Sequence, residues 1–170
     1  MATFDNLKSD LAKLHKSDEL KKYIDSHKGA YLVSAFFISS FDDKDVTPWV
    51  LEYYSPESSK VCTFTLNDKW EVTPDDSIFQ REPHAIMPLE ISEVKFKEGA
   101  ARAKEELTAK FSGESPLKVI VILGTMDKNP QWNITVFTKS FKVINFRIDA
   151  VTGETKSSTV DNLLNFQKKK

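Results

Sequence analysis

Cysteine, glycine and histidine are all scarce in this chain, and each scarcity closes a route. Among 170 residues there are one cysteine, five glycines and three histidines. The lone thiol, Cys62, forms no internal disulfide, so the fold must rest on its core, and the lack of staples points to a reducing compartment. The few glycines are not clustered, which leaves no glycine-rich loop to cradle a phosphate. His15, His27 and His84 each lack a second His or Cys at ligand spacing, so no metal site is expected. No apolar run is long enough to cross a bilayer. The opening MATFDNLKSDLAKLHK has no apolar core followed by small residues. No signal peptide is therefore expected, and the expected location is the cytosol.

Charge of one sign is also lacking. Twenty-four basic residues face 25 acidic ones, for a net charge of −1. A nucleic-acid partner is disfavoured, because phosphate neutralisation calls for a basic stripe. Lysines and acids alternate along the predicted helices, as on solvated faces, and no membrane partner is expected either. The acidic loop at Asp42, Asp43 and Asp45 lacks the alternating ligands, central glycine and distal glutamate of a calcium loop. Cys62 shares a strand face with Phe64 and Leu66, the place of a buried inert thiol rather than a nucleophile. The expectation is no catalytic residue, no cofactor and no metal.

What the chain does have is repetition. PWVLEYYS (48–55) and KVCTFTLNDKWE (60–71) return about 83 residues later as QWNITVFT (131–138) and KVINFRIDAVTGE (142–154). In each copy a Trp opens an alternating segment, a short polar turn follows, and Lys-Val opens a second alternating segment with a central Phe. The expected fold is therefore α+β, as two tandem helix-plus-antiparallel-sheet units of cystatin-like type. The first unit spans 1–72, a packed proline-containing connector 73–91, and the second unit 92–170. Units of about 80 residues bury little core alone, so the two sheets are expected to associate, edge to edge in one arrangement.

Local signals fill in the elements. Phe4, Leu7, Leu11 and Leu14 form a helical stripe, with Thr3 as N-cap. Ser17 opens a second helix with Leu20, Tyr23 and Ile24 on its apolar face, stopped near Gly29. YLVSAFFIS (31–39) is apolar on both faces, which predicts a strand that is central or covered on both sides. Strands follow from Trp49 and Val61, with a short one at Trp70–Val72 after the Asn67-Asp68 turn. Pro74, Pro83 and Pro88 exclude a long regular element from the connector. Ser92 is expected to cap a helix to about Phe111 with Phe96, Ala100, Ala103, Leu107 and Phe111 on one face. Strands at 117–123, 131–138 and 142–149 come next, and a short helix near Thr159–Phe166 closes the chain.

The helix opening ISEVKFKEGAARAKEEL (91–107) and the strands ending in DAVTGE (149–154) together resemble the PepSY domain. In that turn Asp149 and Thr152 are placed to take local backbone N–H groups, and Gly153 takes a positive φ. The resemblance covers roughly 90–156, and the first copy shares it through the repeat. It implies a binding or regulatory role, inhibitory towards a peptidase in one form. In architecture, two fused units of this kind are also similar to the beta-lactamase inhibitory proteins.

The strands sort into two faces. Trp49, Leu51, Tyr53, Cys62, Phe64 and Leu66, with Trp132, Ile134, Val136, Ile144, Phe146 and Ile148, are assigned to the helix-covered core. The other face would show Glu52, Tyr54, Thr63, Thr65, Asn133, Thr135, Phe137, Asn145 and Arg147, an aromatic and polar mixture suited to a protein or peptide partner. An ordinary wetted sheet face is the plain alternative. A small enzyme or ligand carrier with a pocket enclosed by the sheet is the competing functional reading, and homodimerisation through the same face is a third.

Overall fold

The computed structural model of the chain describes residues 6–40, 46–77 and 86–164. Thr3, Phe4, the acidic loop at Asp42, Asp43 and Asp45, and His84 lie outside those residues. The fold is α+β and mostly sheet. In chain order the described elements are α1 (Asn6–Leu14), α2 (Asp18–Ser26), β1 (Tyr31–Ser40), β2 (Val50–Ser55), β3 (Lys60–Leu66) and β4 (Trp70–Ser77). They are followed by α3 (Phe96–Lys110), β5 (Pro116–Met126), β6 (Asn129–Thr138), β7 (Lys142–Asp149) and β8 (Thr155–Asn162).

The eight described strands belong to one antiparallel sheet in the order β4-β3-β2-β1-β5-β6-β7-β8. Consecutive strands pair within β1–β4 and within β5–β8, while β4 and β5 do not, and β1 and β5 meet in the middle, with Phe36 opposite Ile122. The two hairpins flagged by the repeat share a register. Leu51 faces Phe64 and Tyr53 faces Cys62, while Ile134 faces Phe146 and Val136 faces Ile144.

One face of the sheet forms the core. Trp49, Leu51, Phe64, Leu123, Trp132, Phe146 and Ile148 are almost wholly buried, together with Leu7, Leu11 and Leu14 of α1 and Leu20 and Tyr23 of α2. All three described helices lie on this side: Tyr23 meets Phe64 edge-on at 5.6 Å, and Phe96 meets Trp132 at 5.7 Å. Gly99 lets α3 press against the sheet, since a Cβ there would sit 2.5 Å from the Trp132 indole. Ser17 caps α2 through its hydroxyl, which accepts from the Leu20 N–H.

Several expectations need correction. Where a closing helix was expected near Thr159–Phe166, the chain is strand β8 as far as Asn162, pairing with β7 from Thr155, and residues 165 and 166 lie outside the described residues. Without β8 the outer ladder of β7 would stand open, and that gain outweighs the weak helical spacing of Val160, Leu163 and Leu164, all of them exposed. β4 runs through Pro74 to Ser77, well beyond the expected Val72 and into the expected connector. An edge strand tolerates proline because one side of its backbone has no ladder partner. Helix α3 starts at Phe96 rather than after Ser92, because the Lys95 N–H is drawn to the Ala150 carbonyl and Val94 is buried. Ile24 is 38 % exposed and not on the buried face of α2. Leu66, paired with Trp70 at a corner of the sheet, is only half-buried.

Candidate functional site

The face turned away from the helices is built by the same alternation that builds the core. Residues one step from the buried positions point the other way, and the predicted partner-binding residues all take that parity. Glu52, Tyr54, Thr63, Thr65, Asn133, Thr135, Phe137 and Asn145 are half-buried and Arg147 is exposed. The structure gathers them into two groups. Glu52 faces Thr63 across β2 and β3, with Tyr54 and Thr65 on the same strands. Asn133 faces Arg147, and Thr135 faces Asn145, across β6 and β7. Phe137 lies at the end of the second group, beside Lys118 and Val143.

The polar members are tied to one another. The Asn145 amide donates to Asn133 and, at 2.9 Å, to the Thr135 hydroxyl. The Ser34 hydroxyl donates to the Glu52 carboxylate. Tyr54 packs edge-on to Tyr31 at 5.6 Å, and the Tyr31 hydroxyl donates to the Ile86 carbonyl at 3.2 Å. Burial, and then the neighbouring Tyr54, push the Tyr31 phenol above its ordinary range.

Between the two groups lies what the residue-by-residue assignment missed. Phe36 and Ile38 of β1, Val50 of β2, and Ile120 and Ile122 of β5 hold the centre of this face, all half-buried. The signal was present: YLVSAFFIS and LKVIVIL are apolar at both parities, so two adjacent strands must offer an apolar side away from the helices. Among the described residues no helix or strand covers that side. The face is therefore an apolar centre flanked by polar and aromatic groups, rather than an even mixture.

The opposite side carries the other chemistry-bearing groups. His15 Nε2 lies 3.0 Å from the Tyr53 hydroxyl, and burial pushes the Tyr53 phenol up to about 12. Asp149 is buried, which alone would raise its pKa. The backbone N–H groups of Thr152 and Val151, which donate to its Oδ1 at 2.8 and 2.9 Å, and the Lys156 ammonium hold it below the ordinary value. Thr152 Oγ1 accepts from the Glu154 N–H, and Gly153 has φ 78°, as the turn's sequence predicts. A shallow depression of about 250 Å³ beside this turn is lined by Lys95, Arg102 and Glu105, but Arg102 is already engaged by the Gly153 carbonyl and Glu105. Cys62 is buried in the core. No cluster of three His, Cys, Asp or Glu able to hold a metal occurs among the described residues. No helix among them is long and apolar enough to cross a membrane.

No protein-family profile matches this sequence, and no curated protein matches it. The fold is similar to the crystal structure of a "putative lipoprotein" from Clostridium difficile 630, with a TM-score of 0.53. The match covers 85% of this chain and 91% of that one at 12% identity. At that identity the likeness is one of fold.

Proposed function

We infer that this chain is a non-catalytic binding or regulatory module that presents the face of its sheet turned away from the helices to a protein or peptide. The observation that carries the reading is the band of Phe36, Ile38, Val50, Ile120 and Ile122 on a face without a covering element among the described residues. Contiguous apolar surface rimmed by polar groups is the ordinary mark of an interaction site. Tyr54 and Arg147 flank it, and these residue types dominate binding energies at such surfaces.

The finer architecture belongs to the same proposal. The matched hairpin registers support a pair of tandem cystatin-like units, each a four-stranded sheet under its own helices and joined through β1 and β5. The α3 segment and the turn from Asp149 to Glu154 support the PepSY resemblance in the second unit, and with it a regulatory role of the inhibitor kind.

Affinity capture from the native host with the wild-type chain, Arg147→Glu and Tyr54→Ala tests the reading. A partner lost or weakened about tenfold in both variants is the expected outcome. An unchanged set of partners removes the outer face from consideration.

A further inference from the structure

We propose that the occupant of the face turned away from the helices is a second copy of this chain, packed sheet on sheet about a two-fold axis that runs parallel to the strands. The inference rests on the reading of that face as a binding surface and names what binds there.

The argument begins with one unbroken cross-strand row. Glu71, Thr65, Val50, Phe36, Ile122, Asn133, Arg147 and Ser157 are successive partners from β4 to β8. Its centre, Phe36 and Ile122, lies at the seam of β1 and β5, and the next row places Ile38 opposite Ile120. Apolar residues thus sit at the midpoint of the face, where a two-fold axis along the strands would bring Phe36 of one copy against Ile122 of the other, and Ile38 against Ile120. An isologous contact needs this self-complementarity.

Charge selects the orientation. The β4 half of the face carries Glu71, exposed, and Glu52, while the β8 half carries Lys118 and Arg147, both exposed. Asp161, on β8, is at the far rim. An axis running across the strands would set Glu71 over Glu71 and Arg147 over Arg147. An axis along the strands sets the β4 side of one copy over the β8 side of the other, with Glu71 above Ser157 and next to Arg147. Sheets stacked about 10 Å apart leave that pair within side-chain reach.

The size is adequate. Eight strands spaced about 4.8 Å apart and about six residues long give a face on the order of 700 Å². A standard interface takes about 800 Å² from each partner. Pairing would also supply the second cover that the doubly apolar β1 and β5 call for.

Sedimentation equilibrium of the full chain, at concentrations up to about 100 µM, gives the test. The expected result is a dimer that Ile122→Lys converts to monomer, with unchanged circular dichroism and thermal unfolding of the monomer showing the fold intact. Glu71→Arg and Arg147→Glu should each weaken the dimer roughly tenfold, since each reversal acts twice in a two-fold interface. The double variant should regain most of the loss. A wild-type monomer throughout this range overturns the second copy as occupant, while the capture experiment above still decides whether the face binds another protein. A dimer indifferent to Ile122→Lys and to both reversals places the contact elsewhere and overturns the proposal as well.

Discussion

The β1–β4 half and the β5–β8 half of the sheet hold Trp49 and Trp132 at matching places, yet the two indoles are roofed differently. Trp49 packs edge-on to Phe37 of β1 at 4.7 Å. Trp132 instead meets α3, through Phe96 and through the close approach at Gly99. The hairpins beneath keep one register, while the helices above them differ in number, length and contacts. Hairpin register is fixed by backbone pairing and by which face is buried. Helices laid on a sheet need only match its shape and apolar surface, so that layer is free to differ.

The largest effect should come from the two tryptophans themselves. Trp49→Ala and Trp132→Ala should each cost about 3–5 kcal/mol in urea unfolding, because both remove fully buried indoles. A loss below about 1 kcal/mol in one half only would break the equivalence of the two positions. Next comes Gly99→Ala. Alanine favours a helix over glycine by about 1 kcal/mol, but the new methyl would meet a buried ring that cannot move aside. The net expectation is a loss of about 1–2 kcal/mol. Gly113→Ala, where the added carbon meets nothing within 4 Å, should be close to neutral.

The subtlest contrast is in pH. Among the described residues, the three carboxylates held below their ordinary values are in the second half. Glu106 is held by its bond to Lys110, Glu114 by Lys142 and Ser140, and Asp149 by the Thr152 and Val151 N–H groups against its own burial. A depressed carboxyl pKa stabilises the fold above the ordinary values of 3.8 and 4.5, and that contribution fades as pH falls through the depressed value. Tyr53, in the first half, behaves in the opposite sense. Its stabilisation is complete below 10.0 and is lost as pH rises towards about 12. Melting temperature followed against pH should therefore show an acid limb flattened by Asp149→Asn and an alkaline limb flattened by Tyr53→Phe. Exchange of those two effects would refute the assignment.

Much of the sheet was legible in the sequence because period-two alternation is a strong signal and both Trp-bearing segments carry it. The strands at 131–138 and 142–149, the Ser17 cap and the positive φ at Gly153 follow directly from residue type and spacing. β8 was hidden because an edge strand has little to bury: Val160 is 49 % exposed, so its apolar spacing carried no information about the core. The full length of β4 was hidden by Pro74, whose cost disappears only when the strand is known to be outermost. At the candidate site, the polar flanks were read from alternation. The apolar centre went unassigned because its two strands are adjacent in space and about 86 residues apart in sequence, a proximity that alternation does not report.

The junction of β1 with β5 also governs how the chain can come apart. A fragment ending after β4, or one beginning at α3, would carry its most hydrophobic strand as a bare margin, with every other backbone group unmatched along a run rich in Ile, Val and Phe. Such pieces have two fates, reunion with each other or clumping with their own kind. The halves are therefore obliged to travel together, whatever their ancestry.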